Sequence, residues 1–235
     1  MAEQLSLPVQ LPDDETFESF VTGDNALVVE HLQRLAESES DTTSNFLIFI
    51  SGETGTGKSH LLYSLCHRAQ LNNRSHIYIG LKQYSELSEQ LLVGLEDIQL
   101  VCLDDIHMVL NSDKWQLALF DFINRVREVG TCHLVVSADA GPKALNVSLP
   151  DLKSRLTWGV SFKLQSLSDE QRIQALINRA ERRGLTMSDE VARFLLTHMK
   201  RDMPSLMTVL NELDNSSLKE KRKLTIPFVK TVLSL

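Results

Sequence analysis

Eight consecutive residues carry the clearest chemical pattern in the chain: Gly52-Glu53-Thr54-Gly55-Thr56-Gly57-Lys58-Ser59. Their spacing, G-x-x-x-x-G-K-[ST], is that of a phosphate-binding loop. Glycines reach positive φ and let the backbone approach a ligand closely. Successive N–H groups from Gly52 through Thr54, Gly55, Thr56 and Gly57 then converge on phosphate oxygens. The N-terminus of the next helix, around His60, adds positive potential. Lys58 is expected at the β/γ-phosphates and Ser59 on Mg²⁺. A glycine-rich loop that fits by accident is the alternative. The flanking residues favour the phosphate reading: Phe46 to Ile50 reads as a buried strand, and His60 to Cys66 as a helix start.

Three further groups have types suited to phosphate chemistry. Asp104-Asp105 closes an apolar run, Leu100 to Leu103. A phosphate loop needs an acidic group to hold Mg²⁺, which suits Asp104, and Asp105 would then orient or deprotonate a water. Helix caps or loop solubilisers are the other reading of paired Asp. Asp139 follows another apolar run and is either a polar sensor of the γ-phosphate or a turn residue before Gly141-Pro142. Arg155 is either an arginine finger given to a neighbouring subunit or half of a surface salt bridge.

These residues need a scaffold. Strands are expected at 46–50, 76–81, 98–103, 131–136 and 159–164, and helices at 26–37, 60–70, 82–96 and 112–128 with a short one at 150–156. Strands alternating with helices make an α/β fold, a parallel sheet with helices on both faces. The phosphate loop, Asp104-Asp105 and Asp139 all fall at carboxyl ends of strands, where such sheets bind ligands. After residue 165 the pattern becomes helical only, at 169–183, 189–200, 204–218 and 226–234, with a capping box at Ser168-Asp169-Glu170-Gln171. The expected domains are a mobile peptide at 1–14, a nucleotide-binding domain at 15–165 and a small helical lid domain at 166–235.

Composition sets outer limits. The chain has 235 residues, 43% apolar and 23% charged, ordinary for a globular protein. No apolar run approaches the roughly 20 residues a membrane span needs, and the start lacks a signal-peptide pattern. A cytoplasmic protein without a membrane partner is expected. Cys66, Cys102 and Cys132 lie in apolar stretches without metal-like spacing. The net charge of −7 disfavours a surface that coats nucleic acid. Lys219-Glu220-Lys221-Arg222-Lys223 is a local basic run of the kind usually found at a solvated helix end. In the first dozen residues Leu5, Leu7, Val9 and Leu11 recur at period two. Either this is a solvated tail, or it is a peptide that lays alternate side chains into pockets of a partner.

Taken together these segments resemble the AAA+ ATPases, specifically the clade of the bacterial replication initiator DnaA, over nearly the whole chain. Thr16 to Val21 with Gly23 and Asn25 resembles that family's adenine-recognition segment, which implies that Val21 and Asn25 meet the base. Gly52 to Ser59 resembles its Walker A, Leu103 to His107 its Walker B, and Ser137-Ala138-Asp139 its sensor I. Leu152 to Gly159 resembles the box that carries its arginine finger, here Arg155. Gln4-Leu5-Ser6-Leu7-Pro8-Val9 resembles the peptide that binds the replicative sliding clamp, the β subunit of DNA polymerase III. The chain ends straight after the lid, so no helix-turn-helix DNA-binding domain is expected. This combination resembles the Hda-like, DnaA-homologous regulators.

That resemblance implies a regulator carried on the DNA-loaded clamp. It would hold ADP or ATP with Mg²⁺ and stimulate ATP hydrolysis by DnaA, blocking re-initiation. It also implies weak intrinsic ATPase activity, indirect contact with DNA, association with the nucleoid and self-association. One departure stands out: Pro204 occupies the place of the family's sensor II arginine, with Arg201 one turn upstream. Loss of that cation fits a preference for ADP. The competing expectation is an autonomous AAA+ ATPase, a loader or remodeller in replication.

Overall fold

The computed structural model describes residues 14–37, 46–82, 87–220 and 223–235. The clamp-type peptide Gln4 to Val9 lies outside the described residues. Two compact units divide the chain.

The first unit holds the described residues of 14–17, 27–52 and 58–164. Its sheet is parallel throughout, in the order β2-β3-β4-β1-β5. The strands are β1 (Leu47–Ser51), β2 (His76–Gly80), β3 (Leu100–Asp104), β4 (His133–Ala138) and β5 (Val160–Lys163). The three inner strands, β3, β4 and β1, are buried at every residue. Parallel connections put helices on both faces, so these strands read as continuous apolar runs rather than alternating ones. The edge strands β2 and β5 are only partly buried.

Helices α1 (Ala26–Glu37), α2 (Lys58–Leu71), α3 (Asp113–Val129) and α4 (Pro150–Leu156) flank the sheet. On α1, Val28, Val29, Leu32, Leu35 and Ala36 are buried. On α3, Trp115, Leu119, Phe122, Ile123 and Val126 form the apolar stripe. Both follow the three-to-four spacing of an amphipathic helix. Proline opens α4, where its missing N–H costs nothing.

The helix expected at 82–96 is not found among the described residues of that stretch. Two 3₁₀ turns stand there instead, Glu89–Leu92 and Leu95–Asp97. Gly94 separates them at φ +83°, a left-handed conformation that an α-helix cannot pass through. The leucine spacing at 87, 91 and 95 is real, but it serves packing: Leu92 and Leu95 are buried in the core and Leu87 and Leu91 pack against it.

Two strands run further than their apolar runs. β3 continues through Asp104 and β4 through Ala138, so Asp104 ends its strand while Asp139 directly follows its own. β1, β4 and β3 are adjacent and parallel, so their carboxyl ends sit side by side. This places Gly52, Asp104 and Asp139 along one edge of the sheet.

The second unit comprises residues 18–26, 53–57 and 165–235. It contains α5 (Asp169–Arg182), α6 (Asp189–His198), α7 (Met203–Glu220) and α8 (Ile226–Leu233). Ser168 and Gln171 form the expected capping box on α5. Leu176, Leu195, Leu206, Leu210, Leu213 and Val229 are fully buried in its own core.

Candidate functional site

In the first unit, the side chains converge on Asp104. Ser59 Oγ, on the first turn of α2, donates to Asp104 Oδ2 at 2.5 Å. Tyr78 donates its hydroxyl to the same oxygen at 2.7 Å. Ser137 donates to Oδ1. Asp104 is only 3% exposed, so three O–H donors are what make its burial tolerable. Burial and the Asp104 carboxylate hold the Tyr78 hydroxyl protonated, well above its ordinary pKa. The strand register explains who meets whom. Leu103 lies beside Val136, which brings Asp104 next to Ser137. Tyr78 lies beside Cys102 and reaches two positions along the strand to Asp104.

Lys58 is buried and donates Nζ to the Gly52 carbonyl at 2.8 Å. This bond folds the lysine back along its own loop. His60 Nε2 lies 2.9 Å from the Thr16 carbonyl oxygen, tying α2 to the segment before it. A Mg²⁺ ion requires hard oxygen donors, and the Ser59 hydroxyl with the Asp104 carboxylate supplies them. The residues therefore fit that ion.

Asp105 adopts φ +58°, a left-handed conformation rare outside glycine and tolerated by Asp. Its N–H donates to Ser137 Oγ at 2.8 Å. Its carboxylate lies 3.3 Å from Lys82 Nζ. The expected water-activating group thus faces a cation in this conformation. His107 stands between the two acidic positions, with Nδ1 3.9 Å from Asp105 and Nε2 3.9 Å from Asp139. Both distances exceed hydrogen-bond reach. The Asp139 side chain is 57% exposed at the tip of β4.

Arg155 lies on α4, half-buried. Its Nε donates to Asn124 Oδ1 of α3 at 2.8 Å. It forms no salt bridge among the described residues.

In the second unit, the loop residues 53–57 have their own surroundings. Thr56 donates Oγ1 to the Glu53 carbonyl at 2.9 Å, while Glu53 and Thr54 are exposed. Gly55 and Gly57 have φ +85° and +96°. A Cβ on Gly57 would meet the Phe20 ring at 2.6 Å, and one on Gly55 would meet Pro204 Cδ at 2.7 Å. Both conformation and space therefore demand glycine. Pro204 sits in the first turn of α7, directly against Gly55. Arg201 pairs instead with Asp169 at 3.2 Å. Asn25 is buried and uses both ends of its amide on Gln165: Nδ2 donates to the Gln165 carbonyl at 3.1 Å, and Oδ1 accepts from its N–H at 2.8 Å. Val21 is half-buried beside it in sequence.

Sequence reasoning did not single out Tyr78, Lys82 or Asn124. Ser137 and His107 stood only within quoted motifs. Strand register and helix packing reveal all five, and neither is written in residue spacing.

With this geometry in hand, comparison with known proteins is decisive. The model of the bacterial DnaA ATPase domain matches residues 11–163. The chain belongs to the bacterial DnaA ATPase-domain family. The lid domain of Hda matches residues 169–233. A relative from Haemophilus influenzae, described as an uncharacterized protein, is 46% identical over 235 residues and covers all of both chains. Among solved structures, domain III of the Thermotoga maritima replication initiation protein DnaA superposes with a TM-score of 0.79 at 21% identity, covering 95% of this chain and 97% of that one. AMPPCP-bound DnaA from Aquifex aeolicus superposes with a TM-score of 0.70 at 22% identity, covering 90% and 71%. These likenesses show the AAA+ fold of the DnaA family, with an Hda-type lid after it.

Proposed function

We propose that this DnaA-family protein is a regulator of replication initiation that holds an adenine nucleotide, ADP above ATP, and acts on ATP bound by DnaA. The observation that carries the reading is Pro204. The lid sets a proline, which has no charge to offer, against Gly55 of the phosphate loop. A proline there gives the lid no charge with which to favour a γ-phosphate. The Lys82–Asp105 ion pair adds support, because it occupies the carboxylate that would activate water. Both point to weak intrinsic turnover.

In this reading Lys58, Ser59 and the backbone N–H groups of 52–60 hold the phosphates. Asp104 and Ser59 hold Mg²⁺, which when bound neutralises charge on the phosphate oxygens. Val21 contributes its backbone to the base. Asn25 shapes that segment through Gln165 rather than by offering its own amide. Asp139 senses the phosphate end. Arg155 is the group given to DnaA, as an arginine finger that stabilises charge developing on the transferred phosphoryl. Gln4, Leu5, Ser6, Leu7, Pro8 and Val9 bind the sliding clamp, which carries the protein on DNA and associates it with the nucleoid of a bacterial cytoplasm. Self-association through the nucleotide face accompanies this role.

A second reading, an autonomous AAA+ ATPase, draws on the complete Lys58–Ser59–Asp104 set. One experiment separates them: ATP hydrolysis by DnaA, with and without this protein, clamp and DNA. Stimulation that needs all three, and that disappears with Leu5→Ala plus Leu7→Ala, is expected. Fast hydrolysis by this protein alone would instead establish the autonomous enzyme. Calorimetric titration with ADP and ATP tests the preference, and equal affinities would remove it.

A further inference from the structure

Arg155 does not stand alone. Its guanidinium carbon lies 3.8 Å from the centre of the Trp158 ring and 5.4 Å from that of Phe120. The same indole carries a second guanidinium, that of Arg127 on α3, at 4.3 Å. With both so close to one ring centre, the two charges are at most about 8 Å apart. Trp158 is braced by Phe46, edge to face, with ring centres 6.5 Å apart. Arg127 is exposed.

The electrostatics of this cluster are uncompensated. Among the described residues neither Arg127 nor Arg155 forms an ion pair with a carboxylate. Nearby Arg125, on the same helix, pairs with Glu96 at 2.9 Å. Arg172, Arg193 and Arg201 have carboxylates too. In a chain of net charge −7, two guanidiniums lie against one indole ring, with no carboxylate among the described residues to relieve their repulsion. An indole face attracts a guanidinium and keeps it flat, which leaves the N–H edge free for a planar acceptor. Asn124 takes the Arg155 Nε, so the two Nη groups are what remain to be presented.

We infer that Arg127, Trp158 and Arg155 form one anion-receiving unit whose ligand is the polyphosphate of a nucleotide held by a neighbouring ATPase domain. Arg155 and Arg127 both bind phosphate oxygens, bidentately where geometry allows. Trp158 and Asn124 are positioning residues that fix the Arg155 fork. The inference rests on the reading that Arg155 acts in trans, and it adds a second cation and the platform that holds both.

The test is the maximal rate of ATP hydrolysis by DnaA, with clamp and DNA present, at saturating and sub-saturating amounts of this protein. Arg127→Ala should lower the maximal stimulation roughly tenfold, the worth of a charge-assisted hydrogen bond. Its own ADP affinity and melting temperature should not change. Trp158→Leu should lose more, and Trp158→Phe should stay within about threefold because it keeps an aromatic face. Wild-type stimulation by both Arg127→Ala and Trp158→Leu, with Arg155→Ala inactive, would overturn this inference and leave the trans-acting reading standing. Wild-type stimulation by Arg155→Ala would overturn both. A change in half-saturating concentration alone would make Arg127 a docking residue and also overturn the inference. If Trp158→Leu melts, the surface variant Arg127→Ala decides.

Discussion

The Asp104 cluster and the Trp158 cluster use charge in opposite ways. Around Asp104, a buried carboxylate receives three hydroxyl donors. Around Trp158, two guanidiniums lie on one ring with no carboxylate among the described residues. A satisfied network is rigid and specifies one geometry. An unsatisfied one keeps its interaction energy for whatever binds next. The first cluster suits a protein that holds a ligand, and the second suits one that acts outward.

Substitutions in each cluster should therefore separate holding from acting. The largest effect is expected for Arg155→Ala. Arginine fingers contribute about 10³-fold or more to kcat, so DnaA hydrolysis in the presence of this protein should fall to near its unstimulated rate. ADP binding, followed by calorimetry, should be untouched. Loss of ADP binding in this variant would erase the distinction between the clusters.

Lys58→Ala should do the reverse at its first step. It removes the buried ammonium that sits at the Gly52 carbonyl, and ADP affinity should drop by roughly tenfold or more. Unchanged affinity would mean that the backbone alone holds the phosphates. Tyr78→Phe sharpens the picture further. It deletes one of three donors to Asp104 and should cost about 1–3 kcal/mol in urea unfolding, with the Mg²⁺ dependence of nucleotide binding altered and Arg155 function retained.

The smallest effect concerns pH and neither cluster. His133 on β4 is buried, and its pKa is lowered to about 4 by desolvation first and by the Arg74 charge second. Unfolded, the same imidazole titrates near its ordinary value of 6.5. The unfolded state thus gains a proton first as pH falls. Stability is full above pH 6.5 and declines between 6.5 and about 4. Burial and Arg34 lower the His31 pKa as well and add in the same direction. His133→Gln should flatten the fall in melting temperature across that window. An unchanged slope would assign it to carboxylates instead.

Much of the site was legible before any coordinates. The loop from Gly52 to Ser59 is local, and its chemistry depends on residue type and spacing over eight positions. Asp104 and Asp139 follow apolar runs, and parallel sheets gather strand ends on one edge. The lid announced itself through its capping box. The stretch 82–96 misled because leucine spacing records burial, and Gly94 decides the backbone. The roles of Tyr78 and Asn124 could not be read, since a residue's partner across a sheet depends on register and not on its neighbours.

Sequence alone determined the loop, the acidic strand ends and the helical lid, because each is a matter of which residues stand where along the chain. Tertiary structure alone decided that Asp104 is closed by Ser59, Tyr78 and Ser137, that Pro204 presses on Gly55, and that Arg155 shares an indole with Arg127. These are contacts between residues 26 to 149 positions apart in the first and second cases and across α3 and α4 in the third. Only the packing of elements brings such groups within a few ångströms, and the energies that matter for charge act over those distances.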